Sequence, residues 1–183
     1  FVSFRRVDGL NFQSAYGMLE ETISDLCEEH RYLLDSSQIS DLEKSVIERL
    51  IWKKATDQEL KGSLLRLTRM MQAHYGKPII LLMDEYDVPL AKASVNGYYK
   101  EMLDVMKGIM QVMKDNSALQ LAVITGCLRI AKESIFTGTN NFVSDTITSS
   151  RLNEYFGFTQ AEVDKLLEVT GLTDHAEDIK AWY

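Results

Sequence analysis

The chain has 183 residues, 45% apolar and 26% charged, with 7 Phe, 8 Tyr, 2 Trp and only 2 Pro, which excludes a disordered or fibrous polypeptide. Twenty Lys and Arg against 27 Asp and Glu give a formal charge of −7, which argues against a broad nucleic-acid surface, because neutralising phosphates needs clustered cations. The longest uninterrupted apolar run, Ile79–Met83, is five residues, far short of the ~20 that a membrane-spanning helix needs.

Two cysteines, Cys27 and Cys127, stand a hundred positions apart, so neither a disulfide framework nor a cysteine metal site is expected. Residues 1–10 carry Arg5, Arg6 and Asp8 without an apolar stretch, so no signal peptide is expected and the compartment is expected to be the cytoplasm. The first residue is Phe1 rather than Met, which suggests a piece of a longer protein.

Phe1 to Phe4 reads as a short strand. Asn11 then caps a helix over 11–35, whose apolar face is Phe12, Tyr16, Leu19, Ile23 and Leu26. Ser40-Asp41-Leu42-Glu43 is a capping box opening a helix over 40–54, and Thr56-Asp57-Gln58-Glu59 opens another over 57–75. Gly76-Lys77-Pro78 ends that helix. Ile79–Met83, bounded by Pro and a charge cluster and lacking alternation, predicts a strand buried on both faces, as in parallel α/β sheets. A loop is expected from Tyr86 to Gly97, then a helix over 98–115 carrying Met102, Val105, Met106, Ile109 and Met113. Gln120 to Thr125 predicts a second buried strand and Phe142 to Thr148 a weaker third. Thr159-Gln160-Ala161-Glu162 opens a helix over 160–169. Strands alternating with long helices imply an α/β fold.

The sharpest local signal is the apolar strand ending in Asp84-Glu85, the Walker B pattern of P-loop ATPases. Strand burial fixes the first carboxylate at the carboxyl edge of the sheet, where open α/β sheets bind ligands, and where it can hold Mg²⁺. The next carboxylate can orient and deprotonate a water. Asp87 lies in the same turn. Acidic residues also end strands for purely structural reasons. At the end of the following strand, Thr125 is placed to sense a phosphate and Arg129 to reach one; the alternatives are a helix cap and a surface ion pair. His30, His74 and His175 have no ligand spacing, and the Met102, Met106, Met110 and Met113 stripe reads as core.

Taken together, Asp84-Glu85-Tyr86-Asp87-Val88-Pro89-Leu90, Gly97-Tyr98-Tyr99, the run Thr125-Gly126-Cys127-Leu128-Arg129 through Asn141, and Tyr155-Phe156-Gly157-Phe158-Thr159 resemble the AAA-ATPase-like family of prokaryotic proteins over roughly residues 1–170. The resemblance implies a three-layer α/β, P-loop NTPase-like core with a mainly parallel sheet. It also implies a partial domain over 1–158 and the start of a following helical region over 159–183. Asp84 would bind Mg²⁺, Glu85 would activate water, Thr125 would be sensor-like, Arg129 would stabilise transferred charge, and Asp87 would line the ATP site. No G-x-x-x-x-G-K-[ST] occurs in the sequence. The first strand and phosphate loop of the family would therefore lie upstream of Phe1, and this piece alone is expected not to hydrolyse ATP. A sheet without that strand has unpaired edges that invite self-association, and a PD-(D/E)XK nuclease-like domain often follows in the family. The second reading is a non-catalytic regulatory or scaffold domain that keeps the ATPase fold. A nuclease built on Asp84, Glu85 and Asp87 ranks lower, because Glu85 is followed by Tyr86 and Asp87 rather than by the x-Lys such sites use.

Overall fold

The computed structural model describes residues 1–127, 142–146, 149, 151, 153–155 and 157–182. The chain divides into two compact units, Phe1–Asn140 and Asn141–Tyr183.

The first unit is built on a small parallel sheet in the order β1 (Val2–Ser3), β2 (Ile79–Asp84), β3 (Leu119–Ile124). Parallel neighbours cannot be joined by a hairpin, so each connection must cross over. The first crossover carries α1 (Phe12–Glu29), α2 (Asp41–Ile51), α3 (Asp57–Lys61) and α4 (Ser63–Tyr75). The second carries α5 (Val88–Asn96) and α6 (Tyr99–Ile109). This is a mixed α/β architecture with many helices on a three-stranded sheet.

Most helix starts follow from their caps. The Asn11 side chain accepts the Ser14 N–H at 2.9 Å. Ser40 accepts the Glu43 N–H at 3.4 Å, and the Glu43 carboxylate takes the Ser40 hydroxyl at 3.0 Å. Thr56 and Glu59 form a complete reciprocal box. The helix expected over 11–35 ends earlier, at Glu29, and a 3₁₀ turn covers Arg31–Asp35. The helix expected over 57–75 breaks at Gly62, which caps α3 and starts α4. The break lets α3 turn onto α6, where a Cβ on Gly108 would come within 2.5 Å of the Lys61 stem. Lacking that side chain, Gly108 allows Lys61 to lie across α6 and reach Asp57 and Asp104, each at 2.6 Å. The α6 stripe Met102, Val105, Met106 and Ile109 is buried, and each such side chain contributes about 1.5–3 kcal/mol.

Three expectations are corrected. The segment 86–97, expected as a loop, is mostly α5, with Pro89 in its first turn and Gly97 at φ +83° closing it. Residues 142–146, expected to begin a third strand, are not in a strand, and Thr148 lies outside the described residues. The strands are not buried on both faces. Val2, Leu81 and Met83 are buried on the helix-covered face, but Ile80, Leu82, Leu121 and Val123 are 54%, 43%, 52% and 43% exposed. Register pairs Ile80 with Leu121 and Leu82 with Val123, so these four share the other face. Among the described residues, two layers are formed rather than three, and no strand pairs with the outer edge of β3.

In the second unit, a complete Thr159–Glu162 capping box starts α7 (Gln160–Thr170), and Gly171 at φ +71° ends it. A 3₁₀ turn, Thr173–His175, leads into α8 (Ala176–Trp182). Among the described residues no helix is long and apolar enough to cross a membrane.

Candidate functional site

The candidate site is the carboxyl end of β2, which is gripped from both sides. On the β1 side, Phe4 N–H donates to the Asp84 carbonyl at 3.0 Å. On the β3 side, Thr125 N–H donates to the Met83 carbonyl at 2.9 Å and Tyr86 N–H to the Thr125 carbonyl at 3.3 Å. Backbone pairing therefore continues past the last residue of each strand and sets the depth of every side chain at the tip.

Two adjacent carboxylates leave that tip in different directions. Asp84 Oδ1 accepts the Thr125 hydroxyl from the next strand and the Glu85 N–H, the latter at 2.9 Å. Among the described residues nothing donates to Asp84 Oδ2. Glu85 has φ +53°, in the left-handed region, which costs a residue with a Cβ roughly 1 kcal/mol. That turn takes Glu85 off the line of β2, and its Oε2 accepts the Ser3 hydroxyl at 3.3 Å.

Below them the chain enters α5. Asp87 is 2% exposed, and its carbonyl accepts the Leu90 and Ala91 N–H groups at 3.1 and 2.8 Å. Gly126 lies directly over it: a Cβ there would stand 2.5 Å from Asp87 Oδ1 and 2.8 Å from Tyr86 Cε1. Glycine at 126 thus lets the β3 exit pack against the Tyr86–Asp87 turn without displacing it.

Of the residues singled out from the sequence, Asp84, Glu85, Asp87 and Thr125 meet at the ends of two neighbouring parallel strands. Arg129 lies outside the described residues. Ser3 and Gly126 were not anticipated. The signal for Ser3 was one polar residue inside the apolar strand Val2-Ser3-Phe4, and for Gly126 a glycine directly after Thr125. The donor set of Asp84 fits a hard divalent cation, which prefers oxygen and keeps several waters. Among the described residues no group of three or more His, Cys, Asp or Glu could hold a metal by itself. A cation held by Asp84 would need further ligands from elsewhere.

A family model described as a predicted AAA-ATPase, AAA-ATPase-like, matches residues 2–136. The match takes in β1 to β3 and the whole tip of β2. The chain is also 30% identical over 143 residues to an uncharacterized protein in the vnfD 5′ region of Azotobacter chroococcum mcd 1, an alignment covering 76% of this chain and 27% of that protein. The chain thus spans about a quarter of the length of this relative. No solved structure matches this chain. With the family model covering well over half of its residues, the chain belongs to the AAA-ATPase-like family.

Proposed function

We propose that this chain is the acid-bearing part of a Mg²⁺-dependent, ATP-hydrolysing module in a longer protein, built on a P-loop NTPase-like core. One observation carries the reading: the Thr125 hydroxyl is bonded to Asp84 across adjacent parallel strands, with Glu85 next in the chain. In this reading Asp84-Glu85 is a Walker B pair. The phosphate-gripping loop and first strand are supplied by sequence outside these 183 residues, and the chain alone does not turn over ATP. Residues 1–158 are the partial ATPase domain and 159–183 begin the region that follows.

Bound Mg²⁺ would neutralise charge on the nucleotide phosphates. Asp84 would hold it through the oxygen that Thr125 and Glu85 leave free. Glu85 would take a proton from the attacking water onto its carboxylate, and the Thr125 hydroxyl, whose one proton goes to Asp84 Oδ1, would hold the Asp84 carboxylate in place beside it. Asp87, buried under Gly126, would keep the turn between the two carboxylates and α5 in place. Arg129, four residues after Thr125 in the sequence, would be the residue that stabilises transferred charge.

The test is Glu85→Gln in the full-length protein. ATP binding is retained, and turnover falls by about 10²-fold or more, the usual size of a general-base contribution. Unchanged turnover would remove Glu85 from this role.

A further inference from the structure

We propose that Ser3 is the positioning residue of this site: its hydroxyl, aligned by the Arg5 amide, sets the direction of the Glu85 carboxylate. The proposal deepens the hydrolytic reading above and rests on it.

The observation is a two-step chain of hydrogen bonds. Arg5 N–H donates to Ser3 Oγ at 3.3 Å, and Ser3 Oγ donates to Glu85 Oε2 at 3.3 Å. A hydroxyl has one proton and two lone pairs. With a lone pair taken by the Arg5 amide, the Ser3 proton is left for Glu85. The arrangement depends on register, because Ser3 pairs with Asp84 in the parallel ladder and Phe4 N–H closes on the Asp84 carbonyl at 3.0 Å. A slip of β1 by one residue would put an apolar side chain, Val2 or Phe4, at this position.

Glu85 needs such a partner more than Asp84 does. Asp84 ends a paired strand and is tied to Thr125. Glu85 sits one residue beyond, at φ +53°, with a longer side chain and more rotamers. Among the described residues the Ser3 hydroxyl is the donor to its carboxylate. The two acids are thus held from opposite sides, Asp84 from β3 and Glu85 from β1, and kept from turning onto the same point. A general base must point at its water, and a misplacement of about 1 Å can cost up to 10²-fold.

The test uses the full-length protein with Ser3→Ala, Ser3→Thr and Ser3→Val, each alone and with Glu85→Gln. Thr and Val have nearly the same shape and suit a strand, so their difference isolates the hydroxyl. The expected result is a kcat about tenfold lower for Ala and Val, near wild type for Thr, and an unchanged ATP dissociation constant. In the Glu85→Gln background, Ser3→Val causes no further loss. Equal kcat for Thr and Val, or the same fold-loss without Glu85, overturns the proposal while leaving the hydrolytic reading intact. Urea unfolding midpoints of the Thr and Val pair, with and without Glu85→Ala, which removes the acceptor, read the contact without activity. The Val-for-Thr shift shrinks once Glu85 is replaced, and additive shifts would show that no contact exists. Coupled midpoints in a protein with no Glu85-dependent turnover would overturn the hydrolytic reading, and the positioning role with it.

Discussion

Glu59 shows how one side chain serves two elements. Its carboxylate accepts the Thr56 N–H at 2.9 Å, closing the cap of α3, and pairs with Arg49 at the end of α2. The hydrogen bond from Arg49, followed by that from the Thr56 backbone, holds its pKa at about 2, well below the usual carboxylate range. The folded pKa is depressed, so the charged form favours folding. That contribution is complete above about pH 4.3, the ordinary value, and is lost as pH falls toward 2. Glu59→Gln keeps an acceptor for the Thr56 N–H but removes the charge that faces Arg49, so it is expected to lower stability at neutral pH by up to about 1 kcal/mol, the size of a partly exposed ion pair. The gap from wild type should narrow below about pH 4.3 and close near pH 2, as read from urea midpoints across pH. A gap independent of pH would mean that the carboxylate is not held in this way. The caps around it were legible from sequence, because Thr56 and Glu59 stand at the spacing a reciprocal box requires. Ser3 was not: its use depends on which residue of β2 lies opposite, and no local pattern encodes that.

At the scale of elements, β2 was readable because five apolar residues between Pro78 and Asp84 have few other homes. The helix α5 was missed because Val88–Asn96 is short and its buried residues, Pro89, Leu90 and Ala93, make a poor periodic stripe. Its end signals were present in Pro89 and Gly97. The break at Gly62 falls on a residue of low helix propensity, a signal the periodic stripe Leu60, Leu64, Leu67 and Met71 masks, and the close approach of Lys61 to Gly108 is what the turn there packs against. The same kind of contact governs Gly126. Gly126→Ala would push a methyl group to 2.5 Å from Asp87 Oδ1, so the β3 exit or the Tyr86–Asp87 turn must move. The expected cost is about 1–3 kcal/mol in denaturant unfolding, typical of overpacking. A variant as stable as wild type would show that this junction is loose.

For the whole molecule, the partition of the sheet into a covered and an exposed face is the main departure from the sequence reading. A run such as Ile79–Met83 does predict burial on both faces, yet Ile80 and Leu82 are about half exposed beside Leu121 and Val123. Periodicity reports which residues are apolar, not what lies over them. Asp84 and Thr125 continue this face at its carboxyl end, since Asp84 follows Leu82 by two residues and Thr125 follows Val123 by two. The site's two tethered side chains thus share a direction with the exposed apolar face, which is why the meeting of Asp84 and Thr125 carries the functional reading.

The most direct test of that meeting is the affinity of the full-length protein for ATP as Mg²⁺ is titrated, for wild type and Asp84→Asn. Wild type should bind ATP more tightly as Mg²⁺ is added, by about tenfold or more, and Asp84→Asn should lose most of that gain. An equal gain from Mg²⁺ in both proteins would contradict the account.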